Sequence, residues 1–266
     1  MNAVLVPANR RRRVGLLGWS LGLVALVTLV AVSYPAVRGN AELDRTFAQM
    51  SPAVRSLLGL GAGAALTSPA GYLNSQFFAN LLPVMLLIFG IGGGAWAIAG
   101  DEAAGMLELL LANPVSRPHV AVARFTAVAV MICGLAVVTL AALLAAREPA
   151  GLGQVTPMHL TAAVAATAAM ALVYSALAFA VGAGGGARAT ALATAGGAAV
   201  VGFVLEGLGQ AVAALRPLRD LMPWHWLLAA DPLVHGASWR ALGLPLAVTV
   251  VLCAAGTVAF VRRDLR

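Results

Sequence analysis

Six apolar stretches, each long enough to cross a lipid bilayer, constrain this sequence more than any other feature. A hydrocarbon core of about 30 Å requires about 20 consecutive apolar residues in a helix. The stretches cover roughly residues 14–33, 77–99, 119–146, 160–181, 189–215 and 241–261, and the breaks between them carry Pro, Gly or charged residues. The sequence therefore predicts an all-α membrane protein with six transmembrane helices, in a single domain over residues 1–266.

The overall composition supports lipid as the solvent. The chain is 61% hydrophobic with a mean hydropathy of +0.91, and a soluble fold of 266 residues could not bury so much apolar surface. The first stretch follows the basic run Arg10–Arg13, as the apolar part of a signal peptide would. It is longer than the roughly 7–15 residues of such a part, and no small-residue cleavage site follows it. We therefore expect it to remain as the first span.

Arginine supplies all 17 basic residues, and lysine is absent. The net charge of +7 would suit a nucleic-acid partner, but the arginines are dispersed or lie beside apolar stretches, which is typical of membrane orientation. Arg10–Arg13 precede the first stretch, while Arg262, Arg263 and Arg266 follow the last. Because cytoplasmic segments near span ends carry an excess of basic residues, both termini and residues 101–117 are predicted to be cytoplasmic.

Two long loops are predicted on the outer side. In residues 34–76, apolar residues recur at helical spacing, which indicates either an amphipathic helix on the membrane surface, bent at Pro52, or a loop that packs on the spans. These apolar residues are Leu43, Phe47, Met50, Val54, Leu57 and Leu58. Residues 216–240 contain three tryptophans and three prolines, a composition that suits the membrane interface and a segment that re-enters the membrane from outside.

The sequence contains little of the chemistry that catalysis requires. Without lysine it lacks the phosphate-binding loop G-x-x-x-x-G-K-[ST]. The four histidines are dispersed without metal-ligand spacing, and no nucleophile constellation stands out. We expect no catalytic, metal or cofactor site in this chain. Glu206, a carboxylate in the fifth stretch, is costly inside a membrane and marks a functional site by default. A structural hydrogen bond to a neighbouring helix or to the outer loop explains it equally well, and both interpretations stay open.

Residues 101–117, "DEAAGMLELLLANPVSR", predict a short two-sided helix that Asn113-Pro114 ends. One face holds Asp101, Ala104, Gly105 and Glu108, and the other holds Ala103, Met106, Leu107 and Leu110. A helix that lies on a membrane normally presents Lys or Arg to anionic lipid, whereas this polar face is acidic. The segment therefore suits a protein surface better than a helix that merely turns the chain at the interface.

The same segment resembles the loop between spans two and three in permease subunits of type-2 ATP-binding-cassette (ABC) exporters, most closely the bacterial drug and antibiotic exporters. That loop typically reads Glu-Glu-x-x-Gly-Thr-Leu-Glu-Leu-Leu-Leu and then Pro-Val-Ser-Arg. Here Asp101 and Glu102 match the acidic pair, Gly105 the glycine, Leu107, Glu108, Leu109, Leu110 and Leu111 the following run, and Pro114, Val115, Ser116 and Arg117 the closing motif. Met106 replaces the usual threonine, and "SPAGYLNSQFF" (68–78) and "PWHWLLAADPL" (223–233) also resemble that branch.

The resemblance implies a half-transporter in the bacterial cell membrane. Two permeases, identical or sister chains, would assemble with two cytoplasmic ATPase subunits that bind ATP and Mg²⁺, and would move a hydrophobic or amphipathic compound such as a drug, antibiotic or lipid outward. Residues 101–117 would form the coupling helix that docks on the ATPase, through Asp101, Glu102, Gly105, Leu107, Glu108, Leu110, Pro114 and Arg117. The re-entrant segment would gate the exit, with Glu206, Trp224, His225 and Trp226 as pathway or gate residues.

Two other functions remain as alternatives. A membrane-embedded enzyme would use Glu206 or His225 as its catalyst, but paired carboxylates and clustered histidines are lacking in the sequence. A secondary transporter driven by an ion gradient normally uses several titratable groups at mid-membrane, and Glu206 is the clear one here. The sequence does not identify the cargo or the physiological role, whether drug efflux, self-immunity or lipid handling.

Overall fold

The computed structural model describes residues 2–51, 54–55, 65–103, 105, 116–185 and 187–263. Within these ranges every regular element is helical, and six helices are long and apolar enough to cross a membrane. The prediction of an all-α protein with six membrane-spanning helices is therefore confirmed. Spans 1 to 6 are Val14–Val37, Pro69–Gly100, Arg117–Arg147, Pro157–Gly185, Arg188–Gly209 and Trp239–Arg262. Span 1 is the main part of a longer helix, Asn2–Val37.

Two of the span boundaries that differ from the hydropathy pattern have a clear local reason. Span 2 begins at Pro69 instead of residue 77, because the Ser68 hydroxyl caps the backbone N–H of Gly71 and proline suits the first helical turn. The helix of span 5 ends at Ala211 instead of residue 215, because Val212 has an extended backbone and a 3₁₀ turn, Ala213–Leu215, follows.

Span 4 is the centre of the bundle and packs against spans 2, 3, 5 and 6, while span 1 packs against span 3. Small residues let the helices approach closely, which is how membrane helices gain van der Waals packing. At Gly94 of span 2, a β-carbon would collide with the backbone oxygen of Ser175 in span 4. At Gly256 of span 6, a β-carbon would lie 2.7 Å from Cα of Ala180. Each of these contacts requires glycine.

The outward faces of the other spans are apolar, as lipid exposure requires. Spans 1, 3, 5 and 6 expose Leu21, Val130, Val200 and Val250 respectively, each more than 60% accessible.

The bundle has two ends. The Arg263 end contains Gly100, Arg117, Gly185 and Arg263, and the Trp224 end contains the loops that join span 1 to 2, 3 to 4 and 5 to 6.

The loop from span 1 to span 2 contains the short helix Ala41–Ala48, which begins at an Asn40 cap, and the described residues 54–55 are helical as well. Its Asp44 carboxylate accepts hydrogen bonds from the backbone N–H and the hydroxyl of Thr67, at 3.1 and 2.6 Å. The helix stops at Ala48, short of the longer amphipathic pattern that reaches Leu58, and Pro52 lies outside the described residues. Its position relative to a membrane surface stays a prediction.

The chain between spans 5 and 6 forms three short helices, Arg216–Asp220, Pro223–Leu228 and Pro232–His235. Span 6 then begins with a π-helical turn, Trp239–Gly243, and two further π-helical turns lie in span 2, at Asn74–Leu81 and Trp96–Gly100. Such turns occur often at functional sites. The second of those in span 2 lies directly before Asp101, where the acidic segment starts.

Candidate functional site

The acidic segment is described in part. Span 2 continues as a helical turn, Asp101–Ala103, and Gly105 then adopts a left-handed backbone with φ of +67°. The sequence pattern predicts one unbroken helix from Asp101, whereas the left-handed backbone of Gly105 interrupts the helix at that residue. Among the predicted coupling residues, Leu107, Glu108, Leu110 and Pro114 lie outside the described residues, as does the side chain of Asp101.

Glu102 and Arg117, which flank that segment, both contact Arg263 at the end of span 6. The Arg263 guanidinium forms a salt bridge with the Glu102 carboxylate and donates a second hydrogen bond to the backbone oxygen of Ala183, at 3.2 Å. The Arg117 guanidinium donates to the backbone oxygen of Arg263, at 3.0 Å. We call these four residues the Arg263 clasp. It joins the ends of spans 2, 3, 4 and 6.

Burial strengthens the clasp relative to a surface ion pair. The side chains of Arg263 and Glu102 are only 19% and 27% exposed, and a partly desolvated, charge-assisted hydrogen bond is stronger than one in water. In the sequence, Arg263 indicated only the orientation of the chain in the membrane. Its partner Glu102 lies 161 positions away, so no local pattern could have paired them.

A cation–π contact joins span 5, which has no residue in the clasp, to this end of the bundle. The Arg188 guanidinium, at the start of span 5, lies 4.9 Å from the ring centroid of Trp96 in span 2. Contacts of this kind hold a cation over an aromatic face. The Arg263 end of span 5 is thus attached to span 2 through a side chain outside the clasp.

At the opposite end, three of the four predicted pathway or gate residues meet in one network. Glu206 is 3% exposed, and its carboxylate lies 2.9 Å from Nδ1 of His225. The other ring nitrogen of His225, Nε2, lies 3.4 Å from the Asp220 carboxylate, and Trp226 donates its indole N–H to the Asp220 backbone oxygen at 2.8 Å. We call Glu206, His225, Asp220 and Trp226 the Glu206 cluster. It joins span 5 to the short helices that follow it.

An imidazole between two carboxylates has a defined chemistry. Neutral histidine donates a hydrogen bond from one ring nitrogen only, whereas the imidazolium donates from both. His225 can therefore bind one carboxylate when neutral and both when charged. A cavity of about 470 Å³ adjoins the cluster, and Arg219, Asp220, His225, Trp226 and Arg240 supply its polar lining.

Trp224, the fourth predicted residue, faces a different surface. It is 2% exposed, donates its indole N–H to the backbone oxygen of Ala199 at 2.9 Å, and packs against Phe203 with ring centroids 5.1 Å apart. Ala199 lies ten residues before the end of span 5 at Gly209, which corresponds to about 15 Å along a helix. The helix Pro223–Leu228 therefore packs back along span 5.

Below Trp224, an apolar groove of about 420 Å³ lies between spans 2 and 5. Span 2 contributes Asn80, Val84, Leu87, Ile88, Ile91 and Gly92, and span 5 contributes Leu192, Gly196, Ala199, Val200 and Phe203. Apolar side chains with a few polar groups at the rim are typical of sites for hydrophobic small molecules. The sequence did not predict this groove, because it depends on which faces of two uniformly apolar helices turn toward each other.

Asp231 is a further charged residue of the segment between spans 5 and 6. Burial raises the pKa of the Asp231 carboxyl, and the nearby His235 opposes this with a smaller effect. Its backbone is left-handed, with φ of 37°, and its carbonyl accepts the N–H groups of Val234 and His235 at 3.0 and 2.9 Å. The residue starts the helix Pro232–His235 through its backbone.

Comparison with known proteins identifies the family. The family model described as "ABC-2 family transporter protein" matches residues 16–265. Searches of curated proteins and of solved structures return no match. The match covers spans 2 to 6, nearly all of span 1, both charged clusters and the groove. The chain therefore belongs to the ABC-2 family of transporter proteins, whose membrane component it forms.

Proposed function

We propose that this chain is the permease subunit of an ABC exporter of the drug and antibiotic branch, and that it moves a hydrophobic or amphipathic compound out of a bacterial cell. The observation that carries the proposal is the apolar groove between spans 2 and 5, which ends beneath the buried ring of Trp224. Its lining suits an apolar cargo, and Asn80 and Trp224 are the lining side chains with hydrogen-bonding groups.

The energy source in this proposal is a separate ATPase. The sequence contains no lysine and hence no phosphate-binding loop of the G-K-[ST] type. Two ATPase subunits would bind ATP and Mg²⁺, and two permeases, identical or sister chains, would form the membrane part. The arginines at the Arg263 end support a cytoplasmic position for this end and for both termini. Residues 101–117 would then dock on the ATPase as the coupling helix.

Transport would proceed by alternating access. Closure of the ATPase subunits would displace residues 101–117 and, with them, the Arg263 end of span 2. The middle of span 2 forms one wall of the groove. At the Trp224 end, the helix Pro223–Leu228 places Trp224 against the groove and is held to span 5 by Trp224 and by the Glu206–His225 contact. Release of this helix would open the groove to the outside.

A pair of adjacent glycines tests the role of the groove. Gly196 lines it, whereas the neighbouring Gly197 is exposed and lies outside the lining, and a β-carbon meets no atom within 4 Å at either position. We expect Gly196→Trp to lower ATP-driven extrusion of a hydrophobic fluorescent dye at least tenfold in proteoliposomes that contain the permease and its ATPase. Gly197→Trp should retain most of the wild-type rate. Equal rates for the two variants would overturn the assignment of the groove.

The contact between Glu206 and His225 also favours a second candidate, an ion-coupled carrier in which Glu206 carries a proton. Proteoliposomes that contain the permease alone distinguish the two. An imposed pH gradient should drive no dye movement if the chain is an ABC permease. Dye movement without any ATPase, abolished by Glu206→Gln, would support the ion-coupled carrier. A membrane-embedded enzyme would instead turn over a substrate in the same preparation without any gradient.

A further inference from the structure

We infer that Arg263 is the positioning residue through which residues 101–117 move the membrane bundle. This inference rests on the proposed function, in which residues 101–117 receive the movement of the ATPase. Arg263 follows span 6 and is the common partner of Glu102, at the start of that segment, and Arg117, at its end. Both ends of the segment therefore converge on one residue.

The two contacts use different parts of Arg263. Its guanidinium binds Glu102, whereas its backbone oxygen accepts the hydrogen bond from Arg117. The guanidinium also reaches the backbone of Ala183 in span 4, the central helix of the bundle. A displacement of residues 101–117 that keeps these bonds must therefore carry the ends of spans 4 and 6 with it.

The planar fork of arginine suits this role. One terminal nitrogen, Nη2, binds the Glu102 carboxylate, while the other, Nη1, donates to the Ala183 oxygen at 3.2 Å. Lysine offers a single ammonium and cannot reproduce this two-armed geometry. Loss of the guanidinium would leave the contact between Arg117 and the backbone intact, so that one end of the segment stays attached while the other is released.

An arginine with a purely structural role would also lie beside Glu102. The two roles differ only in whether Arg263 is needed for cargo to stimulate ATP hydrolysis. The complex of permease and ATPase should be purified with Glu102→Arg, with Arg263→Glu and with both changes together. The readout is the ratio of cargo-stimulated to basal ATPase rate, measured with the dye as cargo. Each single reversal should bring this ratio close to one, and the double reversal should restore at least half of the wild-type stimulation.

Arg262 provides the matched control, because it is the adjacent arginine and is exposed. Arg262→Glu changes the net charge by the same amount as Arg263→Glu and should leave the stimulation ratio at the wild-type value. Full stimulation in Arg263→Glu would overturn the inference. Equal loss of stimulation in Arg262→Glu, or a double reversal no better than the single ones, would overturn it as well.

A second measurement separates this inference from the proposed function. In the permease without ATPase, each single reversal should lower the thermal midpoint in detergent, and the double reversal should recover most of the loss. Additive losses would overturn the clasp itself, whatever the complex does. A wild-type permease that neither binds nor stimulates an ATPase, but that shows this recovery, would contradict the proposed function and retain the clasp.

Discussion

The two charged clusters lie at opposite ends of the bundle and differ in both chemistry and connectivity. The Arg263 clasp pairs a guanidinium with a carboxylate and joins spans 2, 3, 4 and 6. The Glu206 cluster places an imidazole between two carboxylates and joins span 5 to the segment that follows it. Arginine is always charged in proteins, whereas histidine is neutral or charged at physiological pH. The clasp is therefore built on a fixed cation, whereas the Glu206 cluster is built on an imidazole that lies between two carboxylates.

This difference suits a transporter that receives force at one end and opens at the other. The Arg263 clasp joins the ends of four spans, whereas the hydrogen bonds of the Glu206 cluster join span 5 to the short helices that follow it. The groove lies between spans 2 and 5, so one wall belongs to the joined unit and the other to the span that carries the Glu206 cluster. The following predictions test this contrast, from the largest expected effect to the smallest.

Gly94→Ala should have the largest effect, because the Arg263 clasp requires the ends of spans 2 and 4 to lie in contact. The added β-carbon meets the backbone oxygen of Ser175, which cannot rotate away as a side chain could. Overpacking of this kind costs about 1–3 kcal/mol, occasionally more. We expect a several-fold lower yield of monodisperse protein in detergent. Gly92→Ala, whose β-carbon meets nothing within 4 Å, should behave as wild type, and equal yields of the two variants would contradict the packing.

Substitutions at Glu206 distinguish a functional carboxylate from a structural one. Glu206→Gln retains a hydrogen-bonding partner for His225 but removes the charge, so we expect normal expression and dye transport reduced about threefold or more. Glu206→Leu leaves His225 without this acceptor and should also lower stability, by about 1–3 kcal/mol. Unfolding in detergent and transport in proteoliposomes measure the two effects. If Glu206→Gln is only less stable, with unchanged transport per folded molecule, the residue is structural.

Trp224→Phe should have a moderate effect, because it removes the hydrogen bond to the Ala199 oxygen while it keeps an aromatic ring against Phe203. The loss of one such bond costs about 1 kcal/mol, which corresponds to a decrease of a few degrees in the thermal midpoint. Trp226→Phe removes a bond that lies nearer to the surface and should change the midpoint less. The reverse order would contradict the placement of the two tryptophans.

Asp231→Asn should have the smallest effect, and its sign depends on pH. Burial raises the pKa of the Asp231 carboxyl, so the ionised form disfavours the folded state, and stability is lost as the pH rises through that raised pKa. Asparagine removes this loss and tolerates the left-handed backbone. The variant should therefore melt slightly higher than wild type at pH 7, and the difference should shrink as the pH falls toward 4. A lower midpoint for the variant at pH 7 would contradict this prediction.

The features that could be predicted from the sequence are those that depend on the lipid solvent or on residues close together in the chain. Span number followed from the length of the apolar stretches, whereas the start of span 2 was placed too late because Asn74 and Ser75 lower the local hydropathy. The Ser68-Pro69 capping signal was present in the sequence and would have corrected it. Glu206 and His225 were each predicted as candidates, but their contact was not, because nineteen positions separate them across a turn.

The Arg263 clasp and the groove could not be predicted from the sequence for a physical reason. Uniformly apolar helices rich in Ala, Val and Gly carry no polar stripe that fixes which face turns inward. Their packing follows from shape at residues such as Gly94 and Gly256. The pairing of Glu102 with Arg263 is a consequence of that packing, so it appears only once the spans are assembled.

Distances between spin labels across the two clusters test the contrast most directly. One pair of labels, at Ser116 and Arg262, flanks the Arg263 clasp, and another, at Leu208 and Ala229, spans the Glu206 cluster; all four positions are exposed. The free cysteines Cys133 and Cys253 would be replaced by serine. When ATP binds a hydrolysis-deficient ATPase in the complex, the Ser116–Arg262 distance should stay constant, and the Leu208–Ala229 distance should lengthen by at least one helical turn, about 5 Å. Separation at the Arg263 end with a constant distance at the Trp224 end would contradict this account.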